Sequence, residues 1–194
     1  QEDVQLTAVC DLRQSFRQKA KLAVDGTYGN QDCATYHDFR ELLGRPDIDA
    51  ACVATPDHWH SIIVIEACRN GKDVYCQKPE TRTFREGPLM VATARRYGCV
   101  VSGGSQRVLQ DYRGVVDKCW GGQIGTVKSI NVNVGPLPRP CNLPGQPVPE
   151  GFDWDLWLGP APWAPYHPYR CSGSYAINGT SWRSFKDYSG GGMT

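Results

Sequence analysis

Short apolar runs alternate with longer segments of helical period through the amino-terminal half of the chain. The predicted strands are residues 4–10, 49–55, 72–76 and 99–102, and the predicted helices are residues 13–22, 36–43, 58–69 and 84–97. Strands of this length separated by helices are typical of βαβ units, in which helices cover both faces of a parallel sheet. The pattern therefore predicts an α/β fold built on a doubly wound parallel sheet.

The pattern of polar and apolar residues changes after Gly125. Residues 126–134 alternate polar and apolar side chains, as a half-solvated antiparallel strand does. Residues 135–168 are rich in proline and aromatic residues and lack a helical period, which predicts a long loop that is functional or packs over another surface. The aromatic residues between 154 and 175 predict either a carbohydrate-stacking surface or an arm packed against the sheet. We place a domain boundary at residues 120 and 121.

Charge and hydropathy exclude two classes of partner. Lysine and arginine number 21 against 20 aspartate and glutamate residues, a formal net charge of +1. Such a chain has no large excess of positive charge that would attract nucleic acid or an anionic membrane. No apolar run approaches the roughly 20 residues that a bilayer-spanning helix needs. We therefore expect neither a nucleic-acid nor a membrane partner.

The cysteines favour a reduced chain without a structural metal. There are nine, an odd number without CxxC spacing, which argues against a zinc site and against a fully paired disulfide framework. Cys10, Cys52 and Cys99 fall in apolar runs, where cysteine usually serves as a small buried hydrophobe. We expect a cytoplasmic protein that binds no metal, with a secreted origin left open.

Ligands of doubly wound sheets bind at the carboxyl ends of the strands, and the first candidate there is Asp11. A carboxylate after a strand of a dinucleotide fold accepts hydrogen bonds from the adenosine ribose, and it repels a 2′-phosphate. Asp11 therefore favours NAD over NADP, a preference that Arg13 would soften. The alternative interpretation of Asp11 is a helix N-cap.

The second candidate is the segment 55–60, which follows a predicted strand with the sequence Thr-Pro-Asp-His-Trp-His. Pro56 turns the chain sharply out of the sheet, Asp57 is predicted to cap the next helix, and His58 and His60 are predicted to face the cleft. Two histidines two residues apart do not share a helix face, which makes a metal site here improbable. The alternative is a polar helix start whose tryptophan packs in the core.

The third candidate is Lys78, which directly follows a predicted strand and precedes Pro79. Proline biases the residue before it to an extended backbone, which aims this lysine outward from the strand end. Desolvation or a nearby cation can bring a lysine into the range of acid–base catalysis. The alternative is an ordinary solvated surface charge.

Together these segments resemble the Gfo/Idh/MocA family, which comprises glucose–fructose oxidoreductase, inositol dehydrogenase and their relatives. The matching features occur in the order of the family and cover essentially the whole chain. They are the strand ending in Asp11, residues 54–60, Lys78-Pro79, and residues 104–107, 122–127, 152–162 and 182–194.

The resemblance implies an NAD(P)-dependent dehydrogenase that transfers a hydride between a nicotinamide and a hydroxyl-bearing carbon of a sugar, cyclitol or derivative. It implies a Rossmann-like, dinucleotide-binding domain over residues 1–120 and the start of an α+β substrate and oligomerisation domain over residues 121–194. We expect NAD, with NADP as an alternative, a small-molecule substrate, and a homo-oligomer.

The resemblance also implies a role for individual residues, with Lys78 as the catalytic lysine that contacts both nicotinamide ribose and substrate. The expected cofactor-binding residues are Asp11, Arg13, Thr55, Pro56, Asp57, His60, Gln77, Lys78 and Gln106. The expected substrate-binding residues are Lys78, Arg107, Trp182 and Arg183.

Three departures from the family pattern bear on activity. The family has glutamate where Gln77 stands, so the Lys78 ammonium loses an anionic neighbour and we expect it to give up its proton more readily. The first strand and its GxGxxG turn would precede Val4, and an Asp- and His-bearing segment would follow Thr194. We therefore expect a fragment that is inactive when isolated.

Two alternatives to a dehydrogenase stay open. Some relatives use bound NAD for a transient oxidation that permits elimination or hydrolysis of a glycosidic bond, with the cofactor regenerated in each turnover. For the isolated chain, a non-catalytic binding protein is the other alternative.

Overall fold

The structure, a computed structural model, describes residues 4–105, 112–172 and 180–191. The strands are β1 (Ala8–Cys10), β2 (Ala34–Tyr36), β3 (Ala50–Val53), β4 (Asp73–Gln77) and β5 (Val101–Gly104). The helices are α1 (Gln14–Tyr28), α2 (Phe39–Leu43), α3 (Asp57–Arg69), α4 (Glu86–Tyr97), α5 (Arg113–Trp120), α6 (Trp154–Leu158) and α7 (Pro168–Cys171), with a 3₁₀ turn at Trp182–Ser184. None of the helices in these ranges combines the length and apolar character that a membrane crossing requires.

The strands are parallel, and they form two separate groups. In one, β1 pairs with β2; in the other, β4 lies between β3 and β5. Helices connect successive strands, which confirms the α/β, Rossmann-like fold. A break separates the two groups, because β1 and β3 are not paired with each other.

The main core lies between α3 and the β3-β4-β5 group. Val64, Ala67 and Cys68 of α3 are fully buried, as is Cys76 of β4. Because α3 also packs against α4, most of the side chains of this helix are buried or half-buried, including the polar Asp57, His58, His60 and Ser61. This packing fixes the start of α3 and the end of β4, where the candidate residues lie.

A second core is formed by aromatic residues of the carboxyl-terminal segment. The rings of Trp154 and Trp157 stack with centroids 4.9 Å apart, and Trp182 and Tyr188 are buried in the same cluster. The Trp154 indole donates a hydrogen bond to the carbonyl oxygen of Ala164 at 2.8 Å. The packed-arm interpretation therefore holds for Trp154, Trp157 and Tyr166, whereas Trp163 is 77% exposed.

Two element boundaries differ from the sequence prediction. Helix α1 continues to Tyr28, because Gly29 rather than Gly26 takes the left-handed backbone (φ 68°) that ends it. The predicted helix over 36–43 begins later, at Phe39, because the Asp38 side chain accepts a hydrogen bond from the backbone N–H of Arg40 and caps α2. The residues before that cap form β2.

The predicted strand over residues 126–134 was wrong. This segment has no regular secondary structure, and every residue in it is exposed. Alternation alone does not make a strand, since the backbone must pair with a neighbour, and no strand lies beside this segment in the described ranges.

The expected burial of Cys10, Cys52 and Cys99 was also wrong. Cys10 and Cys99 are half-buried and Cys52 is exposed, whereas Cys68 and Cys76 are among the buried cysteines. The exposure of Cys52 follows from the break in the sheet, because β3 has a paired neighbour on one side only.

Candidate active site

The carboxyl ends of β3 and β4 meet at one edge of the sheet and are joined by His60. Val53 pairs with Cys76, so Thr55 and Lys78 lie equally far beyond the last paired residues. One His60 ring nitrogen lies 2.7 Å from the Thr55 carbonyl oxygen, and the other lies 2.6 Å from the Pro79 carbonyl oxygen. His60 is only 1% exposed, so its ring serves to bind these two strand ends together.

Asp57, the first residue of α3, holds a buried carboxylate beside this junction and is 1% exposed. Its Oδ2 accepts a hydrogen bond of 2.7 Å from Ser189 Oγ, and Ser189 Oγ accepts one from the backbone N–H of Gly191. Its Oδ1 has no hydrogen-bond partner within the described ranges. The predicted helix cap at Asp57 was wrong, because Pro56 is the N-cap and the carboxylate turns toward the carboxyl-terminal segment.

The surroundings of Asp57 change the pKa of its carboxyl group. Burial raises the pKa of its carboxyl group, and the Ser189 hydrogen bond together with the charges of His60, Arg183 and Lys78 acts in the opposite direction. Lys78 is thus one of the residues whose charge acts on this carboxylate, with the smallest effect of those named. The Lys78 side chain is half-buried, and its backbone N–H donates to Gln77 Oε1 at 2.8 Å.

His58 links the two cores and does not face the cleft, so that part of the prediction was wrong. It is 5% exposed, with its ring centroid 5.2 Å from that of Trp157 and 5.4 Å from that of Tyr188. Its Nε2 donates to the Trp157 carbonyl oxygen at 3.0 Å, and the Trp59 indole donates to the same oxygen. Burial lowers the pKa of His58 to about 4, so the ring is neutral at pH 7.

Asp11 lies beyond the end of β1, on the other side of the break in the sheet. Its Oδ1 accepts a hydrogen bond of 2.8 Å from the backbone N–H of Arg13, and Arg17 donates to its carbonyl oxygen at 2.6 Å. Burial raises the pKa of the Asp11 carboxyl group, and the Arg13 hydrogen bond and the two arginine charges oppose that rise. Asp11 is not the cap of α1, because Arg13 occupies that position.

The Arg13 side chain is held by the carboxyl-terminal segment. Its Nη2 donates to the carbonyl oxygen of Cys171 at 3.0 Å and contacts the Cys171 Sγ at 2.9 Å. Its guanidinium carbon lies 4.7 Å from the ring centroid of Phe152 and 5.1 Å from that of Phe16. Arg13 is therefore engaged within the fold rather than reaching toward a ligand.

A cavity of about 660 Å³ lies between the two strand groups. At the carboxyl end of the strands it is bordered by Asp11, Arg13, Thr55, Pro56 and Trp182. These residues, predicted from three distant parts of the sequence, come together around one opening.

Two further predicted residues, Trp182 and Arg183, lie in the 3₁₀ turn, and two lie outside the described ranges. Trp182 is 7% exposed and packs in the aromatic core, with the guanidinium carbon of Arg183 4.9 Å from its ring centroid. Gln106 and Arg107 lie outside the described residues. In the described ranges no group of three or more His, Cys, Asp or Glu side chains could hold a metal ion.

Sequence reasoning missed Ser189. The only signal for it was its place in the glycine-rich run at 189–192, which marks a close approach of backbone but not a contact with Asp57. The separation of 132 residues makes that hydrogen bond invisible without the fold.

Two family models match the chain. The model described as "Oxidoreductase family, NAD-binding Rossmann fold" (GFO_IDH_MocA) matches residues 1–105, and the model described as "Oxidoreductase family, C-terminal alpha/beta domain" matches residues 139–194. Together they match the residues that carry every candidate described above except Gln106 and Arg107.

Individual relatives cover shorter parts. A protein named glycosyl hydrolase family 109 protein from Saccharopolyspora erythraea is 38% identical over 97 residues, 48% of this chain and 21% of its own length. A 2,7-anhydro-N-acetylneuraminate hydratase from Mediterraneibacter gnavus is 33% identical over 84 residues, 43% of this chain and 22% of its own length. The chain thus spans about a fifth of these curated relatives.

Among solved structures, myo-inositol 2-dehydrogenase from Lactobacillus plantarum superposes with a TM-score of 0.56 and 26% identity. The superposition covers 64% of this chain and 35% of that protein.

Replacing His58 and His60, one at a time, with phenylalanine separates the roles of the two side chains. His60→Phe removes the ring N–H donor that lies between the Thr55 and Pro79 carbonyls, and we expect the free energy of unfolding to fall by about 2–3 kcal/mol. His58→Phe is the matched control, because Trp59 still donates to the Trp157 carbonyl; we expect a loss of no more than about 1 kcal/mol. Urea unfolding measures both, and equal losses would contradict the bridging role of His60.

The buried neutral His58 makes stability depend on pH. Its folded pKa of about 4 lies below the ordinary value of 6.5, so between these values the unfolded chain binds the extra proton. The contribution of His58 to the free energy of unfolding is fully present above pH 6.5. It is lost as the pH falls toward 4, by about 3 kcal/mol in total. We expect His58→Phe to lose less stability than the parent chain between pH 7 and pH 4; parallel profiles would refute this.

Proposed function

This chain belongs to the Gfo/Idh/MocA oxidoreductase family with the NAD-binding Rossmann fold, and from that premise we propose that the protein transfers a hydride between NAD and a hydroxyl-bearing carbon of a sugar, cyclitol or derivative. The observation that carries the proposal is the grouping of Lys78 with the buried Asp57 at the ends of β3 and β4, where His60 fixes both chain segments.

The residues at the opening of the cavity fit a dinucleotide. Thr55 Oγ1 is buried there without a hydrogen-bond partner in the described ranges, which is the kind of group that a bound ligand satisfies. The Asp11 carboxylate, at the opposite strand end, would accept hydrogen bonds from the ribose hydroxyls. Arg13 is already bonded to Cys171, so a 2′-phosphate beside Asp11 would meet a carboxylate without this arginine to compensate it. This supports NAD in preference to NADP.

Lys78 would manage the proton of the substrate hydroxyl. The bound nicotinamide supplies the hydride chemistry, while the protein orients the substrate and holds the proton. We assign the proton to Lys78 Nζ, with Asp57 as the carboxylate whose charge acts on that ammonium. Gln77, being neutral, cannot take this part, and its amide already accepts the backbone N–H of Lys78.

The arrangement of the full protein rests on the resemblance. We propose a domain boundary at residues 120 and 121, a small-molecule sugar or cyclitol as substrate, and a homo-oligomer in the cytoplasm. Among the expected substrate-binding residues we favour Arg183, whose charge acts on Asp57.

A second candidate function is an NAD-dependent glycosidase or lyase that oxidises its substrate transiently. The names of two relatives favour it, a glycosyl hydrolase family 109 protein and a 2,7-anhydro-N-acetylneuraminate hydratase, at 38% and 33% identity. The two functions differ in what happens to the cofactor. A dehydrogenase accumulates free NADH in step with product, whereas a transient oxidant returns the cofactor to NAD in every turnover, so nicotinamide fluorescence over a panel of sugars, cyclitols and glycosides separates them.

Lys78→Met tests the proton role in the full gene product that contains this chain. The methionine keeps most of the side-chain volume and removes the amine, so we expect turnover to fall at least about hundredfold while NAD affinity changes little. The exposed Lys19→Met on α1 is the matched control and should leave turnover unchanged. Near-normal turnover of Lys78→Met would remove this lysine from the mechanism.

Asp11→Asn tests the ribose contact in the same protein. The amide weakens the acceptors for ribose hydroxyls and removes the charge that repels a 2′-phosphate. We therefore expect NAD to bind about tenfold more weakly and NADP to lose less affinity or to gain it. Fluorescence titration with NADH and NADPH measures both constants, and equal losses would contradict the assignment.

A further inference from the structure

Ser189 and Asp57 form a hydrogen bond between two side chains that are almost fully buried. Asp57 is 1% exposed and Ser189 is 2% exposed, and the Ser189 Oγ lies 2.7 Å from the Asp57 Oδ2. A separation this short is characteristic of a hydroxyl that donates to an ionised carboxylate rather than to a neutral acceptor. The contact is therefore suited to the charged form of Asp57.

The direction of this hydrogen bond is fixed by Gly191. The backbone N–H of Gly191 donates to the Ser189 Oγ at 3.0 Å, and an N–H group can only donate. An ionised Asp57 has no hydrogen to give, so the single hydrogen of the Ser189 hydroxyl goes to Oδ2. Gly191 has φ 74°, and a Cβ there would lie 2.8 Å from the Pro138 Cδ, so this placement of the N–H requires glycine.

The backbone of Ser189 is held by the aromatic core. The N–H groups of Tyr188 and Ser189 both donate to the Phe185 carbonyl oxygen at 3.1 Å. Phe185 is 3% exposed and Tyr188 is fully buried. The donor that Asp57 receives is thus positioned by packing far along the chain from α3.

The two carboxylate oxygens of Asp57 have different surroundings. Oδ2 accepts from Ser189, whereas Oδ1 has no hydrogen-bond partner within the described ranges. As long as Oδ2 keeps the Ser189 hydrogen bond, a neutral Asp57 carries its proton on Oδ1. Oδ1 is therefore the atom at which this carboxyl group gains or loses a proton.

The Ser189 hydrogen bond is the strongest influence that favours the charged form of Asp57. Burial raises the pKa of the Asp57 carboxyl group, and the hydrogen bond from Ser189 opposes that rise more than any neighbouring charge does. The charged and titratable groups that act on Asp57 or respond to it are His60 of α3, Arg183 of the 3₁₀ turn, Lys78 after β4 and Cys76 within β4. Without the hydroxyl, burial is opposed only by the weaker effects of His60, Arg183 and Lys78.

We propose that Ser189 is a positioning residue for Asp57: its hydroxyl holds the carboxylate in the charged form at the start of α3 and leaves Oδ1 free to exchange a proton. The charged carboxylate then supplies negative charge to Arg183 and Lys78, which the neutral Gln77 cannot provide. The effect on Lys78 rests on the proposed function, whereas the ionisation of Asp57 concerns this chain alone.

The first measurement is the titration of Asp57 itself, in the full gene product that contains this chain, stripped of nucleotide. The infrared carboxyl band of isotope-labelled aspartate reports the titration, and Asp57→Asn identifies the band by difference. Ser189→Ala removes a hydrogen bond to a charged group, so we expect the midpoint of the Asp57 titration to rise by about one pH unit. An unchanged midpoint would overturn the proposal.

Ser181→Ala is the matched control for loss of a buried serine hydroxyl. Ser181 is 3% exposed and belongs to the same carboxyl-terminal segment, but its side chain bonds within the 3₁₀ turn. We expect this variant to lower the unfolding temperature and to leave the Asp57 midpoint where it is. Ser189→Thr restores the hydroxyl and should return the midpoint to that of the parent. An equal rise in Ser181→Ala would show a general loosening of the segment and would also overturn the proposal.

A second readout separates this inference from the proposed function. If Asp57 acts on Lys78 in turnover, the acid limb of the pH profile of kcat/KM moves upward in Ser189→Ala together with the Asp57 midpoint. A midpoint that rises while the pH profile stays unchanged supports the positioning of Asp57 by Ser189 and contradicts the role of Asp57 beside Lys78. Should Ser189→Ala fail to fold, Ser189→Cys keeps a weaker donor of similar size, and a smaller rise of the midpoint is then expected.

Discussion

The candidate site depends on the two hydrogen-bonded contacts that His60 makes with carbonyl oxygens. Thr55 and Pro79 belong to different strand ends, and neither carbonyl is satisfied by the β3–β4 ladder, which ends before them. A neutral imidazole donates through one nitrogen only, so the His60 ring satisfies one of these carbonyls while its other nitrogen lies against the second segment. The position of Lys78, directly before Pro79, follows from that constraint.

Contacts from the carboxyl-terminal segment complete the site that the strand ends begin. Ser189 donates to Asp57, Trp157 accepts from His58, and Cys171 accepts from Arg13. Each contact joins residues about one hundred or more positions apart, and each involves a polar group that is buried or partly buried. The aromatic core is what brings these partners within reach, because it packs residues 154–172 and 180–188 across the start of α3 and α1. The candidate site and the packing of the carboxyl-terminal residues therefore share the same side chains.

The sequence was sufficient for the fold class and for the positions of the strand ends. Asp11, Thr55 and Lys78 each follow an apolar run, and a parallel arrangement places such residues at one edge. The sequence was insufficient to predict the direction in which individual side chains point. Nothing local distinguishes His58, which turns to an aromatic core, from His60, which bridges two carbonyls. It was also insufficient for residues 126–134, where alternation indicated a strand but pairing requires a partner that pattern alone does not supply.

The break in the sheet connects stability with ligand affinity. The Asp11 and Thr55 ends lie on opposite sides of the cavity, and no strand pairing within the described ranges holds them at a fixed separation. The α-helices and the Arg13–Cys171 contact still restrain them, so a ligand that spans both ends meets a partly organised site. A site binds its ligand more tightly when its residues are already ordered, because binding then carries a smaller entropic cost.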